Sequence, residues 1–409
     1  MEKLKIGVIR EGKVPPDKRV PLSPKQCKHI IDTYPEIDLV VQPSPIRKFQ
    51  DSEFSDLGIT LQEDLSDRDI LIGVKEVPID MLIPEKTYFF FSHTFKFQPY
   101  NAKLLRAILD KKIRLIDYEV IKGTNGKRLI GFGRYAGVVG CYNGFRTFGL
   151  KHGLYDLKPA HQCEDRVEME GELSKVKLPS NTRVVLTGFG RVGHGAREIM
   201  SLLPVKEVTP EAYLNGTFDE PVFTHLGTGD YNKRKSDGGF DKSEFYADPS
   251  GYKSVFPEYA QSTDMYIACH YYGEGSPFIF TREDTKHPNW KTMVVADISC
   301  DIDGPVASTI RPSTIANPIY GYDPTTESEV DFKAEGAIAV MAVDNLPCEL
   351  PKDASEDFGA EFIKHVLPNL LNGDPDRILA NASETNLEGE LTPEFAYLQD
   401  YADGKLTEE

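Results

Sequence analysis

The stretch Val184–Met200, "VVLTGFGRVGHGAREIM", sets an apolar strand, Val184-Val185-Leu186, before Gly188, Gly190 and Gly193 at G-x-G-x-x-G spacing. Behind the glycines, Ala196, Ile199, Met200 and Leu203 recur at i, i+3, i+4 and i+7, the pattern of a helix that buries one face. Strand, glycine turn and helix together form the context in which this spacing binds a dinucleotide. Gly188 makes the tight turn, Gly190 lets backbone amides approach a pyrophosphate, and Gly193 permits close packing of helix on strand. The helix N-terminus adds its N–H groups and partial positive charge. Arg191 and Val192, on the same loop, are expected to touch the cofactor. A structural glycine turn is the competing reading.

The acidic residue that grips the adenosine ribose should end the next strand. That strand, "VKEVT", ends at Thr209, with Glu207 on the face opposite Val208. The acid is missing or displaced, which leaves NAD and NADP both open. Lys233, Arg234 and Lys235 in "DYNKRKSD" form a candidate 2′-phosphate patch, with a solvated basic loop as the alternative.

Further apolar strands surround this loop in "TDMYIACHYYGEGSP", "KTMVVADISCDIDGP" and "GAIAVMAVDNLPCELP", while Pro210 to Asp264 is a long excursion of weak periodicity with no assignable fold. Upstream, a glycine-rich joint, "GFGRYAGVVGCYNG", separates this block from a first one. The first 120 residues alternate strands ("LKIGVIRE", "IDLVV", "DILIGV", "TYFFFSH", "IRLIDYE") with helices near "PKQCKHIIDTY" and "PYNAKLLRAILDKK". That alternation implies an α/β chain with two doubly wound parallel sheets. After Pro351, "DASEDFGAEFIKHVLPNLLNG" reads as one long amphipathic helix, and the acidic tail from Asp374 as a loosely ordered end.

The 409-residue length suggests two or three domains, and 40% hydrophobic residues suffice for real cores. A formal charge of −17, from 47 basic and 64 acidic residues, argues against nucleic-acid and anionic-membrane surfaces. Small molecules are the expected partners. Cys27, Cys141, Cys163, Cys269, Cys300 and Cys348 form no CxxC pair and no zinc-spaced Cys/His set, as expected of reduced thiols with no metal site. The start "MEKLKIGVIREG" holds no cleavable apolar segment and no eighteen apolar residues run together, so a soluble, cytoplasmic protein is expected.

Two strands of the first block end in groups fit for proton transfer. "DILIGVKEVP", Asp69–Pro78, runs into Lys75, and "TYFFFSHTFK" ends at His93 with Lys96 following. The carboxyl ends of parallel strands collect ligands. A lysine desolvated there loses basicity, and a neighbouring histidine titrates near neutrality, so the two make an acid/base pair. Arg19 in "DKRVPLSP" could fork a carboxylate; Glu119 ends "IRLIDYE" and Arg134 lies at the joint, expected on the nicotinamide side. Surface ion pairing competes for all three.

These residues sit in motifs that resemble the alanine dehydrogenase and transhydrogenase-like superfamily, and within it the lysine-forming saccharopine dehydrogenases and the lysine–2-oxoglutarate reductase domain of aminoadipic semialdehyde synthase. The resemblance spans nearly the whole chain through "IREGKVPPDKRVPLSP", "GVKEVP", "FFSHTFKFQPYN", "IRLIDYE", "FGRYAGVVG", "TGFGRVGHGA", "VVADISCDIDG" and "AVDNLPCELPKDASEDF". It implies a central Rossmann domain, 140–349, inside a discontinuous substrate domain, 1–139 plus 350–409. It further implies Lys75 and His93 as acid/base residues, Glu119 as their modulator and Arg19 on a substrate carboxylate; since saccharopine carries three carboxylates, Lys96, Arg134 and Arg128 are further candidates to bind them. Asp301, Val343 and Leu346 are implied beside the nicotinamide, and Cys269 at the end of the next cofactor strand. The implied reaction interconverts saccharopine with L-lysine plus 2-oxoglutarate, using NAD or NADP. A homo-oligomer is left open, and the domain that cleaves saccharopine in the bifunctional relatives is expected to be absent. The rival readings are an alanine dehydrogenase that aminates a 2-oxoacid, a transhydrogenase subunit, and a silent dinucleotide binder.

Overall fold

The computed structural model describes residues 3–405 of the chain. Two compact units divide it, Met1–Phe132 with Pro351–Glu409, and Gly133–Leu350. The boundary expected at residue 139 falls inside a helix, Gly133–His152.

The first unit is built on six strands, β1 (Leu4–Val8), β2 (Ile37–Val41), β3 (Thr60–Leu61), β4 (Ile70–Ile72), β5 (Thr87–Phe90) and β6 (Arg114–Asp117), in the order β3-β2-β1-β4-β5-β6. Every pairing is parallel, with Val8 opposite Ile72, Ile72 opposite Phe89 and Phe90 opposite Asp117. This register brings the carboxyl ends of β4, β5 and β6 side by side. The short edge strand β3 lacks the length to give a sequence signal. Helix Pro24–Thr33 starts in a capping box between Ser23 and Gln26, and helix Ala102–Asp110 buries Leu104, Leu105, Ile108 and Leu109.

The C-terminal segment departs from expectation twice. Its long helix is interrupted by a π-helical turn, Phe362–Val366, between Pro351–Glu361 and Leu367–Asn372. Pro368 follows that turn and has no N–H to donate to the carbonyl of residue 364, so the α-helical ladder breaks there. The acidic tail is ordered. Phe395, Leu398, Tyr401 and Ala402 pack with Leu105 and Leu109, and Ser383 bridges antiparallel to Ile116 at the free edge of β6. The irregular spacing of these apolar residues conceals a buried face that composition alone does not reveal.

The second unit contains β7 (Arg183–Thr187), β8 (Lys206–Glu207), β9 (Val222–Leu226), β10 (Asn232–Arg234), β11 (Tyr252–Ser254), β12 (Met265–Ala268), β13 (Val294–Asp297), β14 (Ile319–Asp323), β15 (Ser328–Val330) and β16 (Ile338–Met341). Eight of them form one sheet, β15-β14-β16-β13-β12-β7-β9-β8, parallel from β16 to β8 and antiparallel at β14 and β15. The excursion after Pro210 is therefore partly core: β9 is fully buried and separates β7 from β8.

The glycine-rich "joint" is a 20-residue helix, Gly133–His152, most of it buried. A Cβ on Gly137 would meet Val192 O at 1.9 Å, one on Gly195 would meet Arg134 O at 1.9 Å, and one on Gly144 would meet Ala296 Cβ at 2.8 Å. Glycine serves here to bring this helix against Arg191–Met200 and the sheet, not to turn the chain. Among the described residues no helix is long and apolar enough to cross a membrane.

Candidate active site

In the first unit, hydrogen bonds from Gly73 N to Phe89 O (2.9 Å) and from Phe91 N to Val74 O (2.9 Å) carry the β4–β5 pairing up to Lys75 and His93. Glu76 joins the two strand ends. One carboxylate oxygen lies 2.7 Å from His93 Nδ1, and the other accepts from Lys13 Nζ at 2.7 Å. Burial alone would raise the Glu76 carboxyl, but these bonds hold it down at about 2. The Glu76 contact takes up His93 Nδ1, and Nε2 makes no hydrogen bond among the described residues. His93 sits at φ +55°, a left-handed conformation that costs a non-glycine residue roughly 1–2 kcal/mol. Such strain persists only where surrounding contacts impose it.

Lys75 is half-buried, and its ammonium makes no hydrogen bond or ion pair among the described residues. Its surroundings strip it of basicity: burial lowers its pKa, and the positive charges of Arg19 and Lys13 add to this against Asp17 and Glu76. Beneath it, Glu11 accepts from Val74 N (2.7 Å) and Lys75 N (2.8 Å). Burial and the Asp17 charge push the Glu11 carboxyl up to about 8, against those N–H groups and Arg19. Arg19 and Asp17 form a buried bidentate pair at 3.0 and 2.6 Å, and the guanidinium lies 4.2 Å from the Phe132 ring centroid. On the other side of His93, Lys96 donates to Glu119 at 2.7 Å and Arg128 approaches the same oxygen at 3.4 Å. Burial opposes ionisation of Glu119, but the Lys96 hydrogen bond and the Arg128, Lys96 and His93 charges lower its pKa.

The first unit thus gathers Lys75, His93, Glu119, Lys96 and Arg19 on neighbouring strand ends, together with Glu11, Lys13, Asp17 and Glu76, which the sequence reading passed over. Glu76 was visible as the residue after Lys75, and Glu11 as the acid in "IREGK", but neither reveals its partner. Arg134 belongs to the second unit, where Glu198 holds its guanidinium at 2.7 and 2.9 Å.

In the second unit, Gly188, Gly190, Arg191, Val192 and Cys269 line one cavity of about 580 Å³. Gly188 has φ +94°, and a Cβ on Gly193 would lie 1.8 Å from Gly188 O. A Cβ on Gly190 would meet nothing within 4 Å, so the space in front of this residue is open. His270 also lines the cavity, and its buried Nε2 has no hydrogen-bond partner. Burial presses the His270 pKa to about 4, which keeps the ring neutral. An open glycine cradle and an unsatisfied buried nitrogen fit a dinucleotide. Asp301, Val343 and Leu346 do not line this cavity; Val343 and Leu346 are buried, and Asp301 is exposed beyond β13.

The ribose end is rearranged relative to expectation. Thr209 caps the helix Pro210–Asn215, and Glu207 pairs with Arg197 on the outer strand. The strand beside the glycine loop is β9, which leads into Gly227-Thr228-Gly229-Asp230, and Asp230 accepts from Gly227 N at 2.7 Å. The expected basic patch is also otherwise engaged: Arg234 pairs with Glu244 and Asp237, while Lys233 and Lys235 donate to Gly229 O and Ser250 O. Lys242 lines the cavity instead, with Thr228, Tyr231, Phe240 and Tyr246.

Residues 7–139 match the family described as alanine dehydrogenase/PNT, N-terminal domain. The chain is 31% identical over 397 residues to alpha-aminoadipic semialdehyde synthase of Arabidopsis thaliana, covering 87% of this chain and 37% of that protein. It is 26% identical over 386 residues to the NAD(+), L-lysine-forming saccharopine dehydrogenase of Yarrowia lipolytica, covering 89% of this chain and 90% of that protein. A solved L-alanine dehydrogenase shares the fold, with a TM-score of 0.64 at 16% identity, over 98% of this chain and 100% of that one. The chain spans only 37–42% of the length of the semialdehyde synthases it matches. Residues 7–139 thus match an alanine dehydrogenase/PNT N-terminal domain, and the chain is similar in sequence to the alpha-aminoadipic semialdehyde synthases and the lysine-forming saccharopine dehydrogenases.

Proposed function

We propose that the chain is an oxidoreductase acting on CH–NH donors, interconverting saccharopine with L-lysine plus 2-oxoglutarate. The observation that carries this reading is the pairing of Lys75, desolvated and without an ion partner, with His93 held on Glu76 at adjacent strand ends. In the reductive direction the ε-amine of lysine adds to the ketone of 2-oxoglutarate, water leaves, and the imine carbon is reduced. A bound nicotinamide dinucleotide supplies the hydride. Addition and dehydration both move protons, and a lysine of lowered basicity releases one more readily than an ordinary lysine. Lys75 serves the substrate nitrogen, and His93 serves the carbinolamine oxygen through Nε2. Glu76 holds the ring, and Glu119 tunes the site from the Lys96 side. Saccharopine carries three carboxylates, which suits a site supplied with Arg19, Lys96 and Arg128.

For the cofactor we read NADP ahead of NAD. No Asp or Glu lines the cavity, Asp230 is spent on the Gly227 N–H, and Lys242 makes no ion pair among the described residues. A 2′-phosphate would meet a lysine there in place of a carboxylate. No disulfide joins the cysteines among the described residues, in keeping with the cytoplasmic location we propose.

The test is oxidation of NADH and NADPH, in parallel, with L-lysine plus 2-oxoglutarate and with ammonia plus pyruvate. Turnover with the lysine pair alone supports the reading and names the cofactor. Turnover only with ammonia and pyruvate replaces it with alanine dehydrogenase-like amination, and a preference for NADH overturns the cofactor reading.

A further inference from the structure

His93 stands between two buried hydroxyls, Ser92 and Thr94, that meet a pair of buried carboxyls. Ser92 Oγ lies 2.6 Å from Asp117 Oδ2 and 3.2 Å from Glu384 Oε1, and Thr94 Oγ1 lies 2.5 Å from Glu384 Oε2. The two hydroxyls are 2.6 Å apart, Ser92 N donates to Asp117 at 2.7 Å, and Asn101 donates to Ser92 O at 2.7 Å. Asp117 ends β6. Glu384 arrives from the C-terminal segment, where Glu384 N donates to Leu115 O at 2.8 Å.

We propose that Glu384 is a positioning residue for His93: with Asp117 it clamps the hydroxyls on both sides of the left-handed turn, so the C-terminal segment sets the acid/base geometry. The proposal rests on the reading of His93 as an acid/base residue. The local contacts across the turn at φ +55°, Thr94 N donating to Ser92 Oγ at 3.2 Å and the two hydroxyls meeting, are themselves anchored on the buried carboxyls of Asp117 and Glu384. The clamp supplies the constraint through contacts between residues 290 and 292 positions apart.

The protonation of the pair follows from its donors. Asp117 accepts from Ser92 N and Glu119 N, which calls for an ionised carboxylate. Glu384 accepts from no backbone N–H and lies beside that charge; burial and Asp117 push its carboxyl up to about 8. Glu384 therefore holds the proton, and glutamine can replace it nearly isosterically.

The test compares Glu384→Gln and Glu384→Leu in the full chain, read by steady-state kinetics, NADPH fluorescence titration and the ring NMR signal of His93, assigned by its loss in His93→Asn. Glu384→Leu is expected to lower kcat roughly 10- to 100-fold, as a misplacement on the ångström scale does, with KM values and NADPH affinity little changed. Its His93 signal should shift or broaden. Glu384→Gln should stay within about threefold of the parent, because its hydrogen bonds survive, and keep the parent His93 signal. A parent-like kcat and His93 signal in Glu384→Leu overturn the proposal, as does a Glu384→Gln variant as impaired as the leucine one. If the leucine variant fails to fold, Thr94→Val removes the same contact with little change in volume, and a parent-like His93 signal there also overturns it. If the parent chain turns over no lysine and 2-oxoglutarate, the proposed reaction fails, while the His93 signals still decide the positioning role.

Discussion

Replacing Lys75 by methionine separates a catalytic lysine from a structural one. The Lys75 ammonium makes no hydrogen bond or ion pair among the described residues, so the substitution deletes none. It also relieves the repulsion of Arg19 and Lys13, at the loss of weaker attraction to Asp17 and Glu76. The neighbouring Glu76–His93 and Arg19–Asp17 pairs keep every atom they use. Stability should therefore hold within about 1 kcal/mol or rise. Its pH dependence has a definite sign. The folded pKa of Lys75 is depressed below 10.5, so below the folded value the buried charge penalises the native state. The penalty is relieved as pH climbs from the folded value towards the unfolded one. Any stability gained by Lys75→Met should be greatest at low pH and vanish above the ordinary lysine range. Activity should move the other way. A positioned proton-transfer group contributes roughly 10²- to 10⁴-fold, so kcat should fall by that factor, about 3–5 kcal/mol of barrier. Denaturant melts across pH, kcat with lysine plus 2-oxoglutarate, and NADPH titration check these expectations. Unchanged turnover, or a stability loss above about 2 kcal/mol with intact kcat, would refute the reasoning.

The glycine cradle separates sterically. Gly190→Ala should fold as the parent does yet weaken dinucleotide binding by roughly 10-fold or more, whereas Gly193→Ala, with its Cβ 1.8 Å from Gly188 O, should lose binding and stability together; fluorescence titration and melts read both. Glu76→Gln tests the strand-end bridge. Because burial is outweighed by the His93 and Lys13 bonds and the folded carboxyl sits at about 2, against 4.5 for an ordinary glutamate, its stabilisation is full above 4.5 and lost as pH falls towards 2. The variant should forfeit up to about 3 kcal/mol at neutral pH and lose that much less in acid. His93→Asn and His93→Val should both lower kcat about 100-fold. Only the valine variant should melt earlier, since asparagine tolerates the left-handed turn and a β-branched residue does not.

Local pattern determined much of this protein. The period-two and period-3.6 apolar runs placed β1, β2, β4, β5, β6, β7, β12, β13 and β16 and the helix Ala102–Asp110, because burial on one or both faces leaves its mark within ten residues. The glycine spacing after β7 was legible for the same reason, as turn and close approach act over six residues. Lys75 and His93 could be singled out because each follows directly on an apolar strand. Tertiary structure alone decided the rest. Val222–Leu226 occupies the place beside the glycine loop, so Thr228 and Lys242 line the cavity with the glycines, whereas Thr209 and the Lys233–Lys235 cluster do not. The glycines of "FGRYAGVVG" mark helix packing, since their spacing has meaning only opposite Val192 and Ala196. Burial and the charges of Arg19, Asp17, Lys13 and Glu76 set the basicity of Lys75, Glu76 holds the His93 ring, and Glu384 bonds the hydroxyls on either side of it. A charge acts through space and desolvation, and neither distance nor burial can be read from separation along the chain.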